Sequence, residues 1–169
     1  MSMTGRYLRV APEVILDIQR EPSTLLDVLY PEAESELAAH ESKYLDIDKT
    51  WDIIHFLLND GASIQDSDDG GGPLPNAVLG GAELTDEDLG YGPARFLVPA
   101  EVATTARGLA CISPEELWGR FDESRVSAAD LYWSMEPENK TYALENYEAL
   151  RSFFLEASNA GDAVILWLA

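Results

Sequence analysis

Four side chains that could do chemistry fall at helical spacing in the first third of the chain. They are Asp48, Trp51, Asp52 and His55. Residues three or four apart share one face of a helix, so a carboxylate here can orient the His55 ring as a base or as a ligand. The structural alternative is that Trp51 packs in the core, Asp48 caps the helix and His55 is a half-buried polar residue. The sequence leaves both interpretations open.

A glycine-rich turn, GYGPAR, presents two further candidates, Tyr91 and Arg95. Gly90 and Gly92 permit backbone conformations that are closed to other residues, so the turn can present both side chains at a loop rim. The acidic residues 86–88 lie beside this rim. Arg95 is therefore either a structural ion-pair partner or an anchor for a bound anion.

Tyr132 and Trp133 form an aromatic pair, which Trp118 can extend. Such residues pack in cores, and they are also the usual anchors of protein interfaces. Cys111 is the only cysteine and stands in an apolar stretch, so we expect a buried, inert thiol and no disulfide.

Several kinds of site are excluded by their missing signatures. The sequence has no Gly-x-Ser-x-Gly, His-Glu-x-x-His or Walker-type motif. One cysteine cannot build a cysteine-rich metal site, and the aspartates of residues 66–69 lack the glutamate and the flanking helices of a calcium loop. We therefore predict no metal and no cofactor, and we favour a protein that is not an enzyme.

The charge balance limits the class of partner. The chain has 169 residues, with 31 acidic against 11 Lys and Arg, which gives a net charge of -20. A phosphate backbone is bound by clustered cations, and no dense basic stretch exists here. We expect no binding to nucleic acid or to anionic membranes, whereas a basic protein would be attracted.

The same composition predicts where the protein resides. Residues 163–169 form the longest apolar run, which is shorter than the ~20 residues that span a bilayer. The first residues lack the apolar core of a secretory signal, and the cysteine content suits a reducing compartment. We therefore expect a cytoplasmic protein.

The elements that position these residues follow an irregular order of strands and more numerous helices. We predict strands over residues 7–10, 76–79, 94–98 and 163–168, and helices over about 12–20, 23–29, 48–58, 99–109, 113–121 and 137–160, with 32–41 as a solvated helix or loop. Ser23 caps the second helix, which buries Leu25, Leu26 and Leu29. The apolar run 163–168 suits a strand buried on both faces. The expected fold is one compact α+β domain over residues 1–169, with a small mixed sheet covered by helices and a mobile acidic, glycine-rich loop at about 62–75.

Five segments taken together resemble the YfbM-like family, a bacterial domain family of unknown function. They are MSMTGRYLRV, LDIDKTWDIIHFLL, NAVLGG, EDLGYGPARFL and AGDAVILWL, and they cover essentially the whole chain. The resemblance implies a compact α+β fold and supplies no activity. Positions that match the family's recurrent segments are Asp46, Asp48, Lys49, Trp51, His55, Gly90, Tyr91, Gly92, Pro93 and Arg95.

Two functions stay open on this basis. The first is a non-catalytic binding or regulatory domain whose acidic surface suits a basic protein, for example an immunity-type protein that neutralises a cationic toxin. The second is a small-molecule-binding domain or enzyme with a pocket near His55, Tyr91 and Arg95. The oligomeric state is not determined by the sequence.

Overall fold

A computed structural model describes residues 3–61, 74, 76–133, 136 and 138–169 of the protein. Its centre is a five-stranded sheet in the order β2-β1-β5-β4-β3. The strands are β1 (Gly5–Val10), β2 (Tyr44–Asp46), β3 (Ala82–Asp88), β4 (Pro93–Leu97) and β5 (Ala163–Leu168). All four pairings are antiparallel. The α+β class is confirmed, and the sheet is antiparallel where we had expected a mixed one.

The C-terminal strand β5 is the middle of the sheet, as its apolar sequence predicted. Alternate side chains of a strand point to opposite faces, so both faces of β5 must be covered. Val164 and Leu166 belong to one hydrophobic core, while Ile165 and Trp167 belong to a second core on the other face. All four are at most 2% exposed.

The larger core lies between the sheet and six helices. They are α4 (Trp51–Leu58), α5 (Asn76–Leu79), α6 (Pro99–Ala110), α7 (Pro114–Trp118), α8 (Glu123–Ala128) and α9 (Asn139–Ala160). The predicted capping box at Ser113 is confirmed, because its hydroxyl accepts from the Glu116 amide and the Glu116 carboxylate accepts from the Ser113 amide. Gly161 ends α9 in the left-handed conformation that turns the chain into β5.

The second core is smaller and lies under the first part of the chain. Helices α1 (Pro12–Arg20) and α2 (Leu25–Leu29) bury Ile15, Ile18, Leu25 and Leu29 against the sheet. The third helix of this region, α3 (Glu34–Glu41), buries none of its residues and packs beside β2. The predicted cap at Ser23 is wrong, because Ser23 lies inside a 3-10 turn over Pro22–Thr24.

Three expectations about local structure are corrected. Residues 76–79 form the short helix α5, and the strand begins only after Gly80 and Gly81. The strands β2 and β3 were missed, because they are edge strands of mostly polar or short sequence that only their pairing partners define. Leu26 was expected in the core and is 42% exposed.

Two further expectations concern Cys111 and the acidic loop. Cys111 is exposed, since α6 ends at Ala110 and the chain turns there, with Leu109 and Ile112 as the inward positions. The predicted loop at 62–75 lies outside the described residues except for Leu74. In the part of the chain that the structure describes, no helix is long and apolar enough to cross a membrane.

Candidate functional site

Helix α4 carries Trp51, Asp52 and His55, and a tight turn before it carries Asp48. Asp48 does not cap the helix as predicted: it has φ +48° and begins a 3-10 turn, and α4 starts at Trp51. At the other end of α4, two arginines donate to backbone carbonyl groups, one in the last turn of the helix and one in the turn that follows it. Arg120 donates to the Leu57 carbonyl at 3.1 Å, and Arg125 donates to the Asp60 carbonyl. Cations are favourable at a helix C-terminus, so both arginines stabilise α4.

His55 lies inside the protein and is only 3% exposed. This burial agrees with the structural alternative, in which the His55 ring is at least half buried. The Nε2 atom lies 3.0 Å from the Asn59 amide nitrogen, and Nδ1 has no hydrogen-bond partner among the described residues. Burial lowers the pKa of His55 to about 4, because the charged ring cannot be hydrated there. The ring is therefore neutral near pH 7.

Asp52 joins α4 to the segment that follows α8. Its Oδ2 accepts a hydrogen bond from the Tyr132 amide at 2.6 Å, and the residue is 8% exposed. Burial raises the pKa of Asp52, and the amide hydrogen bond opposes that shift in part. Asp52 therefore fixes the segment around Tyr132 to α4.

Three predicted residues meet around this anchor. The Tyr132 ring stacks on Trp51 with 6.4 Å between centroids, and the Trp51 Nε1 donates to the Met3 carbonyl at 3.1 Å. Asp48 lies in the 3-10 turn that precedes Trp51, and it accepts a hydrogen bond from the Tyr142 hydroxyl at 2.9 Å. Sequence reasoning missed Tyr142, because residues 94 positions apart carry no local signal of their contact. Tyr132 is 44% exposed and stacks on the buried Trp51, so this cluster lies at the protein surface.

Arg95 and Tyr91 lie elsewhere and are not joined to His55 by any described contact. Arg95 donates to the Gly81 carbonyl at 2.6 Å and pairs with Glu83 at 3.6 Å, which matches the structural ion-pair interpretation. Tyr91 is 42% exposed at the tip of the β3–β4 hairpin. The positive φ angles of Gly90 and Gly92 confirm that glycine is needed there.

Trp133 belongs to a different cluster from its neighbour Tyr132. It makes an edge contact with Trp118, whose ring stacks on Phe121 at 4.5 Å. The Lys140 ammonium group lies over the Trp118 ring, 5.6 Å from its centroid. Trp133 and Trp118 are half-buried, so the cluster covers the edge of the larger core.

The surface formed by the first three helices is strongly acidic, and the predicted solvated segment 32–41 is one part of it. Residues 12–41, which form α1, α2 and α3, carry eight acidic side chains and a single arginine. All eight acidic residues are exposed. They are Glu13, Asp17, Glu21, Asp27, Glu32, Glu34, Glu36 and Glu41. Among the described ion pairs, only Asp17 has a cationic partner, Arg20. We call this surface the acidic helical layer.

The later helices carry a more even balance of acidic and basic side chains. Residues 99–160 carry eleven acidic and five basic side chains over about twice the length. The acidic helical layer also exposes four large apolar side chains, namely Leu16, Leu26, Tyr30 and Leu37. The layer therefore combines unneutralised negative charge with exposed apolar side chains.

A family model covers almost the whole chain. The model of the family described as a domain of unknown function (DUF1877) matches residues 1–167. The chain therefore belongs to this family. Among curated proteins, none matches the chain.

A solved relative has the same architecture. The crystal structure of YfbM from Escherichia coli, described as a protein of unknown function, superposes with a TM-score of 0.72 at 25% identity. The alignment covers 98% of this chain and 99% of that one. The likeness supports the resemblance to YfbM-like proteins and the single α+β fold, and it assigns no activity.

Proposed function

We propose that this protein is a non-catalytic binding domain of the cytoplasm, and that its acidic helical layer docks a basic protein. The observation that carries the proposal is the set of eight exposed acidic side chains against one arginine over residues 12–41, that is, on α1, α2, α3 and the segments that join them. An immunity-type protein that neutralises a cationic toxin is one form that this function could take.

Long-range attraction between the acidic helical layer and a basic partner supports the proposal. A surface of one sign attracts an oppositely charged protein from a distance and raises the association rate. The attraction falls over a Debye length of about 8 Å at physiological salt. Seven of the eight acidic residues have no cation within ion-pair distance among the described residues, so their charge is available to a partner.

The second candidate function, a pocket near His55, Tyr91 and Arg95, has less support. His55 is buried, and its ring lies within hydrogen-bond distance of Asn59. Arg95 donates to the Gly81 carbonyl and forms an ion pair with Glu83. Tyr91 is exposed on a hairpin. A shared pocket requires convergent polar groups. The described contacts give each of the three side chains separate surroundings.

The test compares two sets of charge-neutralising substitutions. The first set, on the acidic helical layer, is Glu21→Gln, Asp27→Asn, Glu32→Gln and Glu36→Gln. The control set, on the opposite helices, is Glu115→Gln, Glu123→Gln, Glu138→Gln and Glu145→Gln. Both sets remove four exposed charges that form no described ion pair, so the net charge changes equally.

The immobilised variants are exposed to cell extract at 50 mM salt, and retained proteins that 300 mM salt releases are identified by mass spectrometry. The most abundant basic one is then purified and titrated by fluorescence anisotropy. We expect the first set to weaken its binding about tenfold or more and the control set to change it little. Equal binding by both sets, or the capture of no basic protein, would contradict the proposal.

A further inference from the structure

Strand β3 forms an open edge of the sheet. It has seven residues, Ala82–Asp88, and it pairs with β4 along one side. The described backbone hydrogen bonds join this strand to no element other than β4. The opposite edge of the sheet, β2, has only three residues. A long edge strand with unpaired N–H and C=O groups is a template for pairing with another chain, and a second copy of this protein carries the same edge.

Four of the seven residues in β3 are acidic and exposed, namely Glu83, Asp86, Glu87 and Asp88. Two of them stabilise the hairpin. Glu83 forms an ion pair with Arg95 at 3.6 Å, and the Asp88 Oδ1 accepts hydrogen bonds from two amides of the turn at 2.8 and 3.0 Å. The carboxylates of Asp86 and Glu87 make no described hydrogen bond or ion pair. The contacts described within the fold therefore leave these two charges unexplained.

Pairing of two copies through β3 would place these charges against one another. In an antiparallel pair centred on Thr85, Glu83 of each copy lies opposite Glu87 of the other, and the two Asp86 side chains are diagonal neighbours. Side chains directly opposite are about 5 Å apart, and like charges at that distance destabilise the pair. Only Glu83 has a described cationic partner, so most of this charge is unneutralised in both copies.

The backbone of β3 has two further features of an edge that stays unpaired. Its register with β4 shifts between Glu83 and Asp88, which marks a bulge or irregularity. The Glu87 amide donates to the Thr85 hydroxyl at 3.3 Å, so it is not offered to another strand. Bulges and charged side chains are the means by which natural sheets prevent edge-to-edge pairing.

We infer that Asp86 and Glu87 are gatekeeper residues, whose charges prevent β3 from pairing with β3 of a second copy. They keep the protein from self-associating through the edge of the sheet. The inference does not depend on the proposed basic partner, because it concerns contacts between identical chains.

The test replaces both charges by a neutral, strand-forming residue in the variant Asp86→Thr/Glu87→Thr. The control, Glu115→Gln/Glu123→Gln, removes two exposed charges from α7 and α8, so both variants have the same net charge. A third variant, Asp86→Thr/Glu87→Pro, removes the same charges as the first but introduces proline, which disfavours pairing with a new strand. The Glu87 amide already bonds within its own strand, so proline at this position loses only that local hydrogen bond.

Sedimentation velocity over a range of protein concentrations measures self-association, and circular dichroism verifies that each variant is folded. We expect Asp86→Thr/Glu87→Thr to self-associate about tenfold more tightly than the wild type, with slower hydrogen exchange of the β3 amides in the associated form. The control and the proline variant should behave like the wild type. Asp86→Asn/Glu87→Gln, which keeps the size of the side chains, gives the same readout if the threonine variant is poorly folded. Wild-type behaviour of the folded neutral variants, or equal association of the control or of the proline variant, would refute the inference.

Discussion

Replacing Trp167 by alanine should be the most damaging single change in the smaller core. The side chain is 2% exposed, packs on the rings of Tyr30 and Tyr44, and lies on the central strand β5. Truncating a buried tryptophan costs about 3–5 kcal/mol, because apolar surface is lost and a cavity remains. A domain has a total stability of about 5–15 kcal/mol, so much of it would disappear.

Urea denaturation followed by far-UV circular dichroism measures this loss, and thermal unfolding should show a decrease in Tm of about 10 °C. Trp167→Phe keeps most of the apolar packing and removes the hydrogen bond to Tyr30, so it should cost only about 1–2 kcal/mol. Leu155→Ala, at a residue that is 53% exposed, should change stability by less than ~0.5 kcal/mol. A cost below ~1 kcal/mol for Trp167→Ala would show that β5 is not the packed centre of the sheet.

The remaining predictions concern pH, a buried carboxylate and nucleic acid. The folded-state pKa of His55, about 4, lies below the unfolded value of about 6.5, so the unfolded chain binds the proton first. The free energy of unfolding should therefore fall as the pH drops from about 6.5 to about 4, by up to ~1.4 kcal/mol per pH unit. Urea denaturation at several pH values should show that His55→Gln reduces this dependence on pH. An unchanged dependence would contradict burial of a neutral ring. Asp52→Ala should lower the free energy of unfolding by about 1–3 kcal/mol in urea denaturation, because the Tyr132 amide loses its acceptor. Asp52→Asn keeps an acceptor and should change stability little. Equal losses in the two variants would argue against this hydrogen bond. Anisotropy with single- and double-stranded probes should detect no binding of DNA or RNA at 150 mM salt, and micromolar affinity there would overturn the argument from charge.

Local signals in the sequence predicted the elements whose cause is local. The strand over 163–168, the capping box at Ser113 and the glycines around Tyr91 each depend on residues within a few positions, and each is confirmed. The short helix over 76–79 was mistaken for a strand, because four residues of apolar sequence contain no periodicity that separates the two. The edge strands were missed for a related reason: β3 is largely acidic, and only its pairing with β4 makes it a strand.

Composition by itself determined the negative charge, since net charge is a sum over residues that does not depend on their positions in space. The α+β class followed from the order of the helix and strand patterns along the chain. The arrangement of the candidate residues depended on tertiary contacts. Trp51 contacts Tyr132, and Asp48 contacts Tyr142, across 80 or more intervening residues, while no described contact joins Arg95 to His55. The exposure of Leu26 is the sharpest example. The sequence placed it with Leu25 and Leu29 as an equal apolar residue, and only the packing of a short helix against the sheet decided which side of that helix faces water.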